Sequence, residues 1–387
     1  MKKHVMITLL ILSVSAVLRA DTLSLSFNQN VTDNLFQNRY GESDRLSSLG
    51  FYLDKNLGKF SLYTQGSYSY LFENPNLTYY VQDIGADALH ALNQRSALYF
   101  SLSGRGAFYR ADYGDFNYAS INAFAAFKSY LSPTSIFKSN YTFEYKNYSS
   151  SLFDFSSHAF MISLDKFFQT KTTLKLEANW GYKTFLHPYQ TEEFTTTGSP
   201  NSQGGKGRGR GRAGNQNQFL IRSQSEGQGI QVFSLGGLVA QGLGSRVGIN
   251  LTGMKQWNLS GQNPFAYVEE YYAVENPSYD RFSWQGYQLG SQISIVLPWN
   301  IRTKLGYTLS VKEFPGIESF DIEGISMDEV REDTREQFEA RLEKDFPAFS
   351  VFLSYYFIDN KSNDFYFDWE GQFFSLGVEW NLSLGGK

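Results

Sequence analysis

Alternation of apolar and polar side chains with period two recurs along nearly the whole chain and constrains its fold more than any other feature. From Thr172 to Thr184, Leu174, Leu176, Ala178, Trp180 and Tyr182 alternate with Lys175, Glu177, Asn179 and Lys183. From Ile301 to Lys312, Ile301, Leu305, Tyr307, Leu309 and Val311 alternate with Arg302, Lys304, Thr308 and Lys312. Successive side chains of a strand point to opposite faces, so each segment presents one apolar side and one polar, often charged, side. The same pattern predicts strands at Thr22–Asn28, Leu46–Asp54, Phe60–Tyr70, Tyr79–Ala91, Ser96–Tyr109, Asn117–Ser129, Ile136–Asn147 and Ser156–Phe168. It continues at Gly229–Gln241, Ser245–Trp257, Phe282–Leu297, Thr334–Asp345, Phe349–Asp359 and Gln372–Asn381. That makes about sixteen strands; fourteen or eighteen stay open, because Tyr79–Ala91 and Gly229–Gln241 alternate poorly.

Composition agrees with strands and turns. Aromatic residues make up 17% of the 387 residues, with 26 Tyr and 34 Gly, and aromatic side chains suit a pleated surface. Past the N-terminus no run approaches the roughly 18–20 apolar residues of a membrane-spanning helix. There are no cysteines, which excludes disulfides, thiolate metal sites and a lipid-attachment cysteine. Four histidines leave little for an imidazole metal site. The formal net charge of -4 points to no particular partner.

The first twenty residues read as an address. Lys2 and Lys3 precede the apolar run Val5–Val17, and small residues follow at Ala16 and Ala20. This is the pattern of a secretory signal peptide. Cleavage after Ala20 leaves 21–387 as the mature domain, with helix expected only in the leader.

The connections alternate in length. Short ones fall at Asn56-Leu57-Gly58, Asn93-Gln94-Arg95, Ser132-Pro133-Thr134, Gln169-Thr170-Lys171, Gly242-Leu243-Gly244, Pro298-Trp299-Asn300 and around Pro347. Long ones are Val31–Arg45, Phe185–Gln228, Asn258–Arg281, Glu313–Asp333 and Asn360–Gly371. One rim of the sheet therefore carries turns and the other loops, the asymmetry of transmembrane β-barrels. A soluble sandwich would have to bury all the apolar faces in one thin core, and a solenoid would need a fixed repeat. The expected fold is a single closed antiparallel transmembrane barrel whose apolar faces meet lipid and whose backbone groups pair between strands.

The chain's end carries a further mark. Ser375-x-Gly377-x-x-Trp380-x-Leu382 resembles the C-terminal β-signal of bacterial outer-membrane barrels, a polar residue and a glycine followed by two large apolar residues two apart. The tail Ser383–Lys387 extends beyond its usual end. The stretch Leu353–Trp380 is likewise similar to the last hairpin of poorly characterised outer-membrane barrels. The resemblance covers about the last 35 residues. It implies insertion into a Gram-negative outer membrane by the barrel-assembly machinery, with lipid and lipopolysaccharide as surroundings.

A barrel of about sixteen strands is too wide for side chains to fill. The polar faces place Arg105, Lys138, Glu144, Lys175, Glu177, Arg302, Lys304, Gln337, Glu339, Arg341 and Glu343 on the inner wall as candidate pore lining. Charged rings set selectivity in water-filled pores, although such charges also form salt-bridge ladders that only solvate a lumen. The expected function is passive diffusion of small hydrophilic solutes. Alternatives are a secretion conduit for polymer or lipid with a periplasmic partner, or a structural or surface-binding barrel with a closed lumen. Within Phe185–Gln228, Lys206, Arg208, Arg210 and Arg212 stand between glycines. They form either a basic constriction or lipopolysaccharide contact, or a plain surface loop; nucleic acid is not expected.

No catalytic, metal or cofactor site emerges. Asp154, Ser156, Ser157 and His158 lie together, but alternation sends Ser157 inward and His158 outward, so they cannot act as a triad. His90 and His187 read as isolated rim or loop residues. Asp321, Glu323, Asp328, Glu329, Glu332 and Asp333 match no cation-loop spacing and read as a solvated run.

Overall fold

The computed structural model describes residues 20–187, 220–221, 229–262, 265–267 and 280–384. The leader therefore lies, apart from Ala20, outside the described residues, as does the basic cluster Lys206, Arg208, Arg210 and Arg212.

In chain order the strands are β1 (Thr22–Thr32), β2 (Asp44–Asn56), β3 (Phe60–Leu71), β4 (Tyr79–Ala91), β5 (Ser96–Tyr109) and β6 (Tyr118–Ser132). Then come β7 (Ser135–Tyr148), β8 (Phe155–Phe167), β9 (Thr172–Phe185), β10 (Leu220–Ile221), β11 (Ile230–Leu243) and β12 (Val247–Ser260). The last six are β13 (Phe265–Tyr267), β14 (Gln285–Val296), β15 (Arg302–Phe320), β16 (Ser326–Asp345), β17 (Phe349–Ser362) and β18 (Trp369–Ser383). Sixteen of them close into one antiparallel barrel, each beside its neighbour in sequence; β10 and β13 form a separate two-stranded piece. The seam is β1 on β18, running from Thr22 opposite Ser383 to Thr32 opposite Phe373 without a slip. Closure leaves no strand edge unpaired, the condition for spanning hydrocarbon.

Because register conserves side-chain parity, the alternation of each strand is carried around the whole wall. Leu176, on the outer face, is 67% exposed, whereas Lys183, on the inner face of the same strand, is 1% exposed. Outward aromatics include Trp180, Phe233 and Trp257 toward the loop rim and Phe60 and Trp380 toward the turn rim, where ring side chains anchor a barrel at the two membrane interfaces. Phe233 stacks on Trp257 at 5.9 Å.

The two poorly alternating strands have separate explanations. On β4, Gln82 faces outward yet is buried; its Nε2 donates to Thr64 Oγ1 at 2.7 Å and to the Gln65 carbonyl at 2.8 Å, beneath Tyr80. On β11, Ile230 and Val232 face inward but are covered by Phe282, so no polar residue is required there.

Two expectations need correction. Helix is not confined to the leader, since short 3-10 turns occupy Pro75–Leu77, Ala111–Phe116, Ser151–Phe153 and Pro298–Asn300. The stretch Glu313–Asp333 is largely a hairpin: β15 continues to Phe320 and β16 starts at Ser326, with Glu318 opposite Val330 and Phe320 opposite Ser326. Register shifts on both sides of Glu318, with Gly316 at φ +86, break the period and hide these strands from a pattern reading. A Cβ at Gly316 would also lie 2.7 Å from the Gln262 Cβ.

The C-terminal strand follows the barrel rule. Ser375 points inward and donates to Asn30 Oδ1 at 2.5 Å. Gly377 is roofed by the Phe352 ring, and Trp380 and Leu382 face outward. Replacing Trp380 and Leu382 together by Asp should prevent accumulation of heat-modifiable barrel in membranes, since each charge on the lipid face costs up to about 2–3 kcal/mol and less near the interface. Gel mobility of boiled and unboiled membrane fractions reads this out; wild-type levels of folded double mutant would contradict the assignment.

Candidate functional site: the lumen wall

Toward the turn rim the inner wall carries paired charges. Arg302 lies opposite Glu343, whereas Lys304 stands opposite the like charge of Arg341. Arg302 Nη2 reaches Glu343 Oε1 at 2.5 Å and Asp345 Oδ2 at 2.8 Å. Arg341 approaches Glu343 at 3.5 Å, lies 4.3 Å over the Phe352 ring and donates to Ser354. Glu339 accepts a hydrogen bond from the Tyr356 hydroxyl at 3.3 Å, and Gln337 is directly opposite Thr308. Across the lumen wall, Lys138 pairs with Asp165 and Lys175 with Glu177 at 2.5 Å. Such partly exposed pairs contribute roughly 0–1 kcal/mol each, too little for stability alone to account for their concentration on one face.

Arg105 is set in a different part of the wall. Its Nε donates to Asp83 Oδ1 at 2.7 Å, and Gln65 donates to the other carboxylate oxygen at 3.1 Å. Asp83 was not singled out from the sequence, yet its parity on β4 puts it in register with Arg105 on β5. Asp165 is likewise discoverable as the inward neighbour of Lys138 and Lys175.

Nearer the loop rim the interior changes character. Leu35, Phe36, Leu77, Tyr113, Phe116 and Phe153, all from connections or short turns, pack on Leu46, Leu71, Ala107, Tyr118, Tyr148 and Phe155 from the inner faces of strands. These loops therefore fold into the mouth and reduce its section. Beside them, Glu144 holds Lys146 at 3.1 Å and Asp280 holds Lys183 at 2.7 Å. The ammonium of Lys146 lies 4.5 Å from the Tyr118 ring, and that of Lys183 lies 4.3 Å from Phe155. Burial of these two lysines is tolerable because each has a carboxylate and aromatic faces around it.

His187 is not an isolated loop residue: its Nε2 lies 3.1 Å from Asp154 Oδ2, and Asp154 also accepts from the Tyr148 backbone N–H at 2.6 Å. Ser157 faces inward opposite Lys183, whereas His158 faces outward, its Nδ1 2.7 Å from the Tyr141 hydroxyl. Among the described residues no His/Asp/Glu group is arranged to hold a metal ion.

The extended hairpin is pinned by a buried network. Arg331 is fully buried, donating to Asp333 at 2.9 and 2.5 Å, with its guanidinium 3.3 Å from the Phe367 ring centroid. Asp364, in the connection before β18, accepts from the Phe320 backbone N–H at 3.0 Å. Burial pushes its carboxyl above the ordinary range, against the opposing pull of Arg331. The guanidinium thus pairs directly with Asp333, while its pull on Asp364 is outweighed by burial.

The molecule is a sixteen-stranded transmembrane barrel with a charged, partly loop-filled interior. No protein-family model and no curated protein matches the sequence. Among solved structures it is similar to OccAB1 of Acinetobacter baumannii, with 7% identity, 94% of this chain and 96% of that chain covered, and a TM-score of 0.53. It is also similar to OccAB4 of the same organism, with 10% identity over 94% and 98% and a TM-score of 0.51. A weaker likeness, to the outer membrane protein OpdK of Pseudomonas aeruginosa, has 10% identity over 93% and 98% and a TM-score of 0.46. At these identities the likeness is one of fold.

Replacing Arg331 by Ala should leave Asp333 buried without its cation, a change that typically costs about 3–5 kcal/mol. The barrel below should survive, so the expected outcome is proteolytic cutting near 321–325 with unchanged heat-modifiability. Resistance equal to the parent would show that the network does not hold the hairpin.

Proposed function

We propose that the chain is an outer-membrane channel for passive diffusion of small hydrophilic solutes. The observation that carries this reading is the inner wall itself. Ion pairs stand in the turn-side half of the lumen on β7–β9 and again on β15–β16, where an impermeable barrel would need only packed or neutral side chains. Sixteen strands fall in the range that leaves an aqueous interior. The folded loops then provide a narrower section at the opposite mouth, as a selective pore requires. The resemblance of Ser375, Gly377, Trp380 and Leu382 to the assembly signal supports delivery by the barrel-assembly machinery. The leader over 1–20 supports export, and lipid and lipopolysaccharide are the expected surroundings. Arg302, Lys304, Gln337, Glu339, Arg341 and Glu343, with Lys138, Glu144, Lys175, Glu177 and Arg105, act in this reading as pore lining that biases ion passage through fixed fields.

Refolded protein in a planar bilayer should give stepwise conductance. Exchanging Glu339 and Glu343 together for Gln removes two carboxylates and leaves Arg302 and Arg341 less compensated. Reversal potentials in a salt gradient should therefore move toward anion preference, with folding intact. Conductance that never appears, or a reversal potential that does not move, would refute the channel assignment or these residues' part in it, respectively.

A further inference from the structure

One sector of the lumen wall, from β1 to β5, sets Arg105 against Asp83 and carries a layered recess. Its lower layer, in register across the strands, is Tyr52, Gln65, Asp83 and Arg105. The layer above is made of small groups, Ser26, Gly50 and Ser67, followed by Val81 and Ala107. Two residues further along stand the rings of Tyr79 and Tyr109, 5.4 Å apart. The Ser26 hydroxyl leans over Gly50, 2.5 Å from where a Cβ would stand, so only small groups line the middle layer. The result is a cavity of about 720 Å³ that reaches Glu379 on β18. Its phenol floor is held in place, since Tyr52 stacks on Tyr63 at 6.2 Å and 24°, and Tyr63 lies across Gly85.

The chemistry of this recess differs from that of the paired charges elsewhere. Arg105 is already countered by Asp83 at 2.7 Å, and Glu379 adds a further negative charge, so a free carboxylate meets net repulsion. An apolar ligand would strand the hydroxyl, amide and ion-pair groups without partners. Aromatic faces at top and bottom, hydroxyls in the middle and planar polar side chains between them suit a neutral polyhydroxylated ring. Its C–H faces lie on phenol rings while its hydroxyls exchange hydrogen bonds with Gln65, Asp83 and Arg105. The volume lies in the range of small-molecule sites.

We propose that this recess is a saccharide-binding subsite of the lumen, a proposal that rests on the channel reading for its role as a solute station. The test uses the full barrel, folded in detergent and titrated with maltotriose and with raffinose by calorimetry. The same sugars are added to single channels in a bilayer. Saturable heat and a sugar-dependent fall in current are expected for the parent. Tyr52→Ala, which removes the floor, and Ser67→Leu, which fills the middle layer, should each weaken binding about tenfold or more while retaining heat-modifiable mobility. Absence of saturable heat in the parent, preferential binding of sodium benzoate, or sugar binding unchanged in both variants would overturn the proposal. Binding without conductance would uphold the subsite and sink the channel; conductance without binding would do the reverse.

Discussion

Everything in this fold depends on one requirement: a backbone crossing hydrocarbon must satisfy its N–H and C=O groups within the protein. Closure of β1 on β18 meets it, with eleven facing pairs from Thr22 to Thr32 and no exposed edge. Once the ring is closed, parity follows. A residue's face is decided by its position in the strand, and cross-strand register transmits that decision around the wall. Leu176 outside and Lys175 inside are consequences of the same hydrogen-bonded ladder.

Inside the ring, two kinds of polar organisation coexist. On the turn side the charges are partly exposed and paired across or along strands, as Arg302 with Glu343 and Lys138 with Asp165. These cost little to hydrate and create fixed fields in the lumen. On the loop side, ionisable groups are buried and therefore each is compensated individually: Lys183 by Asp280 and aromatic rings, Arg331 by Asp333 and Phe367. That division matches the filling of the mouth by Phe116, Phe153 and their neighbours, which buries the charges at one end and leaves those at the other partly exposed. Phe116 and Phe153 stack at 5.5 Å, so the inward-folded loops have a packed interior of their own.

Much of this was legible in sequence because period two is insensitive to what lies beyond the strand. Ser96–Tyr109 appears with the bounds the alternation predicts, and the inward set Arg302, Lys304, Gln337, Glu339, Arg341 and Glu343 keeps one parity. What was hidden has physical causes. The Glu313–Asp333 hairpin is obscured by its bulges and by Gly316, which shift parity midway. The loop-side core was hidden because its members sit in connections, where no period orders them. Apolar residues such as Leu35, Phe36 and Phe153 in otherwise polar loops were the available sign. Asp154 with His187, and Lys183 with Asp280, are separated by 33 and 97 positions, and such pairs meet only through strand neighbours and folded loops that no period reveals.

The central claim is that alternation on each strand separates water from lipid. The chain has no cysteine, so single cysteines can be placed at successive positions 337 to 342 on β16 and treated in membranes with a small hydrophilic maleimide. The account predicts labelling at Gln337, Glu339 and Arg341 and protection at Phe338, Ala340 and Leu342. Uniform labelling along the strand, or labelling at the even positions alone, would contradict it.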